Sequence, residues 1–493
     1  MLNLTAADAT RVATDLLCVP VCEDESLHAA AEVAALVKRI QSLPEFSGKK
    51  DETTLLYDAP ETKARRILFA GLGPAGKVDA ESLRSLAGRA VARAIEMKLK
   101  RVHFVVPTPE PLGLSLPEAA AALMEGARLA NHIFDRYRKE KKHSPLNRIV
   151  FVVKKGAASR LKPLVTKVEA VCRGTLAARD WVTTPSNDKR PDALAADIAR
   201  RARRSKLKVT VLDEAALKRL KCGSLLSVAA GSSKPARMVV LEYRHPGAKE
   251  KLALVGKGVT FDTGGISLKP PAGMEDMKSD MAGAAAVAGA MLTIAELKPA
   301  LNVVAALPLV ENMPSGSATR PGDIVTSYSG KTIEIGNTDA EGRLILVDAI
   351  AYLVKTAKPH AVVDLATLTG ACVMALGERI AGVFSPDDRL AEALLASSGA
   401  THERCWRMPL PDDYRDFMKS DTADIRNLSS TRWGGAITAA LFISAFVDNT
   451  PWAHVDIAGP ASISKKGPYC GVGGTGFGVR LLCDLIENWK PLS

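Results

Sequence analysis

The sequence lacks the features that mark several protein classes. Its eight cysteines include no CxxC pair and no zinc-finger spacing; they lie at positions 18, 22, 172, 222, 372, 405, 470 and 483. Aromatic residues make up only 5% of the 493 residues, and no repeat period or low-complexity tract appears. We therefore expect free, mostly buried cysteines in a reducing compartment, and neither a disulfide scaffold nor a repeat protein.

Signals for export and for membrane insertion are missing as well. The first 25 residues have no basic segment, and they carry Asp8 and Asp15 where a signal peptide would be uninterrupted and apolar. The longest apolar stretches, 282–295 and 434–447, are about 14 residues long, whereas a bilayer span needs roughly 18 to 20. We expect a cytoplasmic protein with no membrane segment, in which both stretches are buried helices.

Positive charge is in excess, with a formal net charge of +12. Basic clusters at Arg136–Lys142 and Arg200–Lys208 make a nucleic-acid partner one interpretation. No helix-turn-helix or RNA-binding signature accompanies them, so solvated protein faces are the expected role. A DNA-binding regulatory function is kept as an alternative.

Length and hydrophobic periodicity predict two α/β domains. Strand-like runs at 65–71, 101–107 and 147–153 alternate with helical runs, and a second series of strands begins at 208–212. A long helical pattern separates the two series. The prediction is an N-terminal α/β domain at 1–156, a linker helix at 157–183, and a C-terminal α/β domain at 184–493 with a central, mostly parallel sheet flanked by helices.

One glycine motif has the spacing of a dinucleotide-binding loop. Gly71, Gly73 and Gly76 have dinucleotide-binding spacing, but Pro74 removes a backbone donor from the turn, and no acidic residue ends the next strand. We predict a plain strand-to-helix turn there.

Charged residues between 254 and 344 lie among glycines and apolar residues, where charge is unfavourable unless paired or bound to metal. Lys257 and Asp262 follow an apolar strand, while Lys269 and Asp280 come shortly after. Ligand sites of parallel sheets lie at the carboxyl ends of strands. Taken alone, Asp280 is predicted to be the N-cap of the following helix.

Asp339, Glu341 and Arg343 recur at every second residue, so an extended backbone would direct all three to one side. No histidine lies between 246 and 359, which rules out an HExxH site in this region. Carboxylate oxygens without histidine favour divalent ions such as zinc, manganese or magnesium.

These motifs resemble those of the leucyl aminopeptidases, the cytosol aminopeptidase family. The likeness rests on VGKGVTFDTGG at 255–265 and NTDAEGRL at 337–344, and it is extended by ENMPSG, ATLTGA, WRMPL and WAHVDIAG farther along the chain. It covers roughly residues 180 to 493, whereas the amino-terminal part resembles the family only in layout. The resemblance implies a cytosolic metallo-aminopeptidase that acts on peptides and assembles as a homohexamer.

Residue by residue, the resemblance implies a centre of two divalent metal ions. Asp262 and Glu341 would bridge both ions, Asp339 would complete the more exchangeable position, and Lys257 and Asp280 would complete the tighter one. A lysine ligand must be neutral, so the ions have to displace its proton. Such a pair lowers the pKa of a bound water and polarises the scissile carbonyl.

The remaining implied roles belong to catalysis and specificity. Lys269 would stabilise the developing oxyanion, and Arg343 would hold a bicarbonate ion that acts as general base. Met277, Thr367 and Gly370 match positions that line the pocket for the first side chain, which favours leucine and other apolar residues. A catalytically silent relative retained for assembly is the remaining alternative, and the complete residue set argues against it.

Overall fold

The structure is a computed structural model that describes residues 2–492. It divides into two compact units. The first runs to Cys172 and also includes the short segment Lys465–Val472, and the second comprises Arg173–Ser464 and the chain from Gly473 onward.

The first unit is an α/β structure around one sheet. The strands are β1 (Leu2–Thr5), β2 (Leu16–Val21), β3 (Thr53–Tyr57), β4 (Arg66–Gly71), β5 (Arg101–Val105) and β6 (Arg148–Val152). The helices are α1 (Ala31–Gln41), α2 (Ala80–Glu96), α3 (Leu116–Ala130) and α4 (Ala157–Thr183), the last of which continues into the second unit. The strand order is β1-β6-β5-β2-β4-β3, and only β3 is antiparallel to its neighbour.

The glycine motif after β4 forms a turn and not a phosphate-binding loop. A short 3-10 helix at Ala75–Lys77 follows the strand, and α2 begins only after Asp79. The Asp79 side chain accepts a hydrogen bond from the Ser82 amide, and the two residues form a capping box. The helix N-terminus is thereby closed by the chain itself, as the plain-turn prediction requires.

The second unit carries a larger sheet. Its strands are β7 (Lys208–Leu212), β8 (Arg237–Tyr243), β9 (Lys251–Gly256), β10 (Gly258–Asp262), β11 (Asn302–Asn312), β12 (Ile324–Thr326), β13 (Thr332–Glu334), β14 (Ala361–Ala366), β15 (Ala381–Phe384), β16 (Cys405–Arg407), β17 (Ile425–Arg426), β18 (Trp452–Asp456), β19 (Ser462–Ile463) and β20 (Gly473–Gly474). Its helices are α5 (Pro191–Arg204), α6 (Glu214–Arg219), α7 (Gly223–Ala229), α8 (Ala282–Leu297), α9 (Glu341–Ala357), α10 (Gly370–Leu376), α11 (Asp388–Thr401), α12 (Gly435–Ser444) and α13 (Val479–Glu487).

Nine strands form the main sheet in the order β16-β15-β18-β14-β9-β11-β8-β7, with β10 paired to β11. The central strands β18, β14, β9 and β11 are mutually parallel, while β8 and β15 run antiparallel to their inner neighbours. β9 and β14 are almost wholly buried and apolar, as expected of parallel strands covered on both faces. The predicted fold class, two α/β domains with a mostly parallel second sheet, is confirmed.

The two long apolar stretches form the buried helices α8 and α12, as predicted. Among the described residues one helical segment, Met274–Leu297, is long and apolar enough to cross a membrane, but 78% of its apolar 18-residue window is buried inside the protein. Six of the eight cysteines are buried, and the other two are partly exposed.

Candidate metal centre

The predicted site residues meet at the carboxyl ends of the central parallel strands. Lys257 directly follows β9, Asp262 is the last residue of β10, and Thr367 directly follows β14. Because β9 is parallel to β11 and β14, and β10 is parallel to β11, these ends lie at the same side of the sheet. The topology thus assembles residues that lie more than 100 positions apart.

Lys257 lies at the centre of the cluster. Its Nζ is 2.7 Å from Asp280 Oδ1 and 2.8 Å from Glu341 Oε1, and it donates to the Thr367 carbonyl at 2.9 Å. Asp262, Asp280 and Glu341 are all buried, and each offers a carboxylate oxygen within 4.8 Å of the others. Three converging carboxylates of this kind are able to hold a metal ion.

Glycines allow the polar groups to approach this closely. A Cβ at Gly342 would lie 2.5 Å from Lys257 Cε, so any larger residue at the start of α9 would force the lysine side chain to shift. Gly264 and Gly265 have φ values of +86° and +70°, which glycine adopts without strain. The chain after Asp262 therefore turns sharply toward the Asp339 segment, whose carboxylate lies next to Gly264.

Lys269 closes the other side of the cluster. Its ammonium group lies 2.7 Å from Asp262 Oδ2, and it also contacts Asp339 Oδ1. Both side chains are partly exposed, 20% for Lys269 and 34% for Asp339, whereas Asp262 is buried. Lys269 and Asp339 therefore border the open side of the site.

The extended geometry predicted for Asp339, Glu341 and Arg343 is wrong. Helix α9 begins at Glu341, so Asp339 lies in the preceding turn and Arg343 in the first helical turn. The apolar periodicity from Leu344 onward makes the helix the stable local structure, because its inner face packs in the core. Glu341 gains from this arrangement, since the amino end of a helix stabilises a carboxylate.

The N-cap interpretation of Asp280 is also wrong. Met281 occupies the N-cap position of α8, and Asp280 ends a 3-10 helix, Met274–Ser279. Its Oδ1 accepts from Lys257 and from the Thr367 hydroxyl at 2.7 Å. Its Oδ2 is buried and has no hydrogen-bond partner among residues 2–492. A buried carboxylate oxygen without a donor fits a cation as its partner.

Electrostatics point the same way. Burial raises the pKa of Asp262, Asp280 and Asp339, and the neighbouring carboxylates raise the first two further. Burial opposes the charge of Lys257, but Asp280, Glu341 and Asp262 outweigh it and hold its pKa above the ordinary value. Four carboxylates here face two lysines, so the cluster has an excess of negative charge that a divalent cation would balance.

Arg343 lies beside this cluster and is not part of it. Its Nη1 donates to the Asn427 carbonyl at 2.9 Å, while its buried Nε has no hydrogen-bond partner within the described chain. Burial lowers the pKa of Arg343 to about 10, against the opposing effect of Glu341 and Asp456. The guanidinium therefore stays charged at neutral pH, and its buried Nε–H is still available as a donor.

The three predicted pocket residues lie in two segments. Thr367 contacts the cluster directly through its carbonyl and hydroxyl groups. Gly370 begins α10, is exposed, and has open space where a side chain would project. Met277 lies on the 3-10 helix that ends at Asp280, and its carbonyl accepts from the Asp280 amide.

Several supporting residues were not predicted. Asn312, the last residue of β11, donates from Nδ2 to Asp262 Oδ1 at 2.8 Å and to the Thr338 carbonyl at 3.0 Å. Asp456, at the end of β18, accepts from the Leu368 amide and the Thr369 hydroxyl, and so holds the loop that carries Thr367. Both residues lie inside motifs of the family resemblance, ENMPSG and WAHVDIAG, and these motifs could have pointed to them.

Comparison with known proteins agrees with this geometry. A sequence model of the cytosol aminopeptidase family, catalytic domain, matches residues 176–483, and one of the N-terminal domain of that family matches residues 18–141. The amino-terminal likeness thus goes beyond the shared layout that the sequence indicated. The chain is 44% identical to a probable cytosol aminopeptidase of Solibacter usitatus, with 97% of this chain and 98% of that protein covered. A second one, from Syntrophotalea carbinolica, is 46% identical over 90% of each chain.

Two solved structures share the fold. The bottromycin maturation enzyme BotP in complex with Mn superposes with a TM-score of 0.86 at 36% identity, covering 96% of this chain and 99% of that one. A mutant of tomato leucine aminopeptidase superposes with a TM-score of 0.87 at 34% identity, covering 99% and 96%. The chain therefore belongs to the cytosol aminopeptidase family and is a metal-dependent aminopeptidase.

Proposed function

We propose that this enzyme releases the amino-terminal residue of peptides, with a preference for leucine and other apolar residues, at a centre of two divalent ions. The observation that carries the proposal is the buried cluster of Asp262, Asp280 and Glu341 around Lys257, in which one carboxylate oxygen has no donor among the described residues. Such a cluster is unfavourable in a protein interior unless cations balance it.

The side chains that would hold the two ions are those of Asp262, Glu341, Asp339, Lys257 and Asp280. A ligand set of four carboxylates and one lysine nitrogen suits Zn²⁺ or Mn²⁺, with Mg²⁺ as a third candidate. Ions bound there would supply a water molecule of lowered pKa and would polarise the scissile carbonyl. Lys257 must give up its proton to serve as a ligand.

Two charged side chains act beside the ligands. Lys269 is partly exposed and close to Asp262, so its ammonium group can reach a substrate oxygen and stabilise the negative charge that develops there. Arg343 would hold a bicarbonate ion, and that ion would supply the general base for the attacking water. The buried Nε of Arg343, which has no partner in residues 2–492, supports this role because an anion would satisfy it.

Specificity would reside in the segments of Met277, Thr367 and Gly370. The exposed Gly370 leaves open space beside the Thr367 loop, which supports an apolar side chain being accommodated there. We further propose that residues 184–493 form the catalytic domain, that residues 1–156 serve assembly or regulation, and that 157–183 is the linker helix. A cytoplasmic homohexamer, as in the family resemblance, completes the proposal.

The nucleic-acid alternative receives less support. Arg200 and Arg201 both pair with Asp197, and Lys208 pairs with Glu242, so part of the basic cluster is neutralised within the protein. The silent-relative alternative is also disfavoured, because the seven predicted ligand and catalytic residues are all present and six of them converge in one cluster.

The test is hydrolysis of leucyl-p-nitroanilide by the purified enzyme, before and after metal stripping and after re-addition of Mn²⁺ or Zn²⁺. Glu341→Gln keeps the shape of the side chain and removes its charge. We expect activity that is lost on stripping, restored by metal, and absent in the variant under all conditions. Metal-independent turnover, or full activity of Glu341→Gln, would contradict the proposal.

A further inference from the structure

We propose that Asn427 is a positioning residue that holds the turn bearing Asp339 and the start of α9 in the geometry that binds metal. The residue lies about 90 positions beyond that turn in sequence, directly after β17. It is completely buried. The inference rests on the proposed metal centre, because it concerns how the ligands of that centre are held.

The Asn427 side chain uses all of its hydrogen-bonding capacity on one short turn. Its Oδ1 accepts from the Gly336 amide at 2.7 Å and from the Asn337 amide at 3.3 Å. Its Nδ2 donates to the Asn337 carbonyl at 2.8 Å and to the Ala340 carbonyl at 3.3 Å. An asparagine amide has two donors and two acceptor sites, so no part of the group is left for another task.

Strand pairing brings this amide to the turn. β13 and β17 are parallel, with Glu334 opposite Arg426. The backbone N–H of Asn427 donates to the Glu334 carbonyl at 3.0 Å. Asn427 therefore lies beside the chain where it leaves β13 and enters the turn. A side chain at Gly336 would collide with Arg426 and Leu428, so glycine permits this approach.

The backbone atoms bonded by the Asn427 side chain lie on both sides of Asp339 and directly before Glu341. Asn337 precedes Asp339 by two residues, and its own Oδ1 accepts from the Asp339 amide at 2.7 Å. Ala340 lies between Asp339 and Glu341, the first residue of α9. The backbone carbonyl of Asn427 accepts from Arg343 at 2.9 Å. One buried residue thus contacts the segments of two ligands and the arginine beside them.

Loss of this side chain should loosen the ligand turn and weaken metal binding, beyond any effect on folding. Removal of an outer-shell residue that orients metal ligands typically lowers metal affinity by about 10- to 100-fold. Asn427→Leu removes all four hydrogen bonds without adding charge. Asn302→Leu is the matched control, because Asn302 also bridges backbone groups, accepting from His245 and donating to Ala248, but at the start of β11, away from the site.

The experiment is calorimetric titration of Mn²⁺ into the metal-stripped full chain, with thermal unfolding measured on the same samples. We expect the dissociation constant for Mn²⁺ to rise about 10- to 100-fold in Asn427→Leu and to stay within about twofold in Asn302→Leu. If the leucine variant does not fold, Asn427→Ser is measured instead, because serine is small and polar. The same rise in the dissociation constant for Mn²⁺ is expected.

A Mn²⁺ affinity unchanged in Asn427→Leu or Asn427→Ser would overturn the inference, even with a lowered unfolding temperature, since it would leave Asn427 a purely structural role. Failure of both variants to fold would do the same. Absence of Mn²⁺ binding in the unsubstituted chain is a different result: it would overturn the proposed metal centre, and this inference with it.

Discussion

A methyl group added at Gly342 would enter the space that the Lys257 side chain occupies. The Cβ of an alanine there would lie 2.5 Å from Lys257 Cε and 2.8 Å from both Cδ and Nζ. To reach an ordinary contact of about 3.4 Å, Cε must retreat by about 0.9 Å. Because Lys257 Nζ now lies 2.7 and 2.8 Å from Asp280 and Glu341, a shift of that size along either bond removes the hydrogen bond.

The expected loss of stability is smaller than the free energy of unfolding of a typical domain, about 5–15 kcal/mol, whereas the loss of activity is large. Overpacking costs about 1–3 kcal/mol, whereas alanine stabilises a helix relative to glycine by about 0.5–1 kcal/mol, so the net loss is about 0–2.5 kcal/mol. A misplacement of about 1 Å in a catalytic site can lower the rate about 100-fold, which corresponds to about 2.7 kcal/mol in activation free energy. Gly342→Ala should therefore remain folded and lose most of its activity.

The assay compares kcat/KM for leucyl-p-nitroanilide and the unfolding temperature of Gly342→Ala with those of Gly399→Ala. Gly399 also lies in a helix, α11, but a Cβ there would meet no atom within 4 Å. The control should be unchanged or slightly stabilised, by up to about 1 kcal/mol, with full activity. Activity of Gly342→Ala within about twofold of the unsubstituted enzyme would refute the placement of Lys257 against this glycine.

Three other substitutions test neighbouring parts of the site. Lys257→Arg keeps the positive charge, but the guanidinium cannot lose a proton to become a neutral ligand. We therefore expect calorimetry to detect no tight Mn²⁺ binding. Binding equal to that of the unsubstituted chain would exclude Lys257 as a ligand. Asn312→Leu removes the amide that donates to Asp262, so Mn²⁺ affinity should fall about 10-fold or more. An unchanged Mn²⁺ affinity would contradict this role of Asn312. Added bicarbonate should raise the rate of the unsubstituted enzyme in bicarbonate-free buffer and have no effect on Arg343→Ala; equal stimulation of both would remove Arg343 from that role.

The strands and helices that position the site could be read from local sequence. The apolar strand predicted before Lys257 is β9, which lies between its parallel neighbours β11 and β14; buried parallel strands such as these have continuous apolar sequence. Their parallel pairing then explains why Lys257, Asp262 and Thr367 converge. Motif and topology together were sufficient to predict which residues meet.

Conformation inside the motif was harder to predict. Alternation of Asp339, Glu341 and Arg343 favoured an extended chain, but packing of the apolar face of α9 determines a helix from Glu341 onward. Asp280 lies in sequence where an N-cap of α8 would be expected. Its carboxylate instead accepts hydrogen bonds from Lys257 and Thr367, which belong to distant segments. In both cases tertiary contacts override the local preference.

The supporting residues were the least predictable. Asn427 has no local pattern that separates it from any loop asparagine, because its role depends on the pairing of two short strands, β13 and β17. Arg343 was singled out only through the motif, and its contact with the Asn427 carbonyl depends on that same pairing. Such roles require the three-dimensional structure.

The central claim is that metal ions bind among Asp262, Asp280, Asp339, Glu341 and Lys257. Crystals of the active enzyme grown with Mn²⁺ allow the most direct measurement, an anomalous difference map recorded near the manganese absorption edge. We predict two peaks enclosed by these five side chains, and their loss in Glu341→Gln. A map of the active enzyme with peaks elsewhere, or with none at this cluster, would contradict the account.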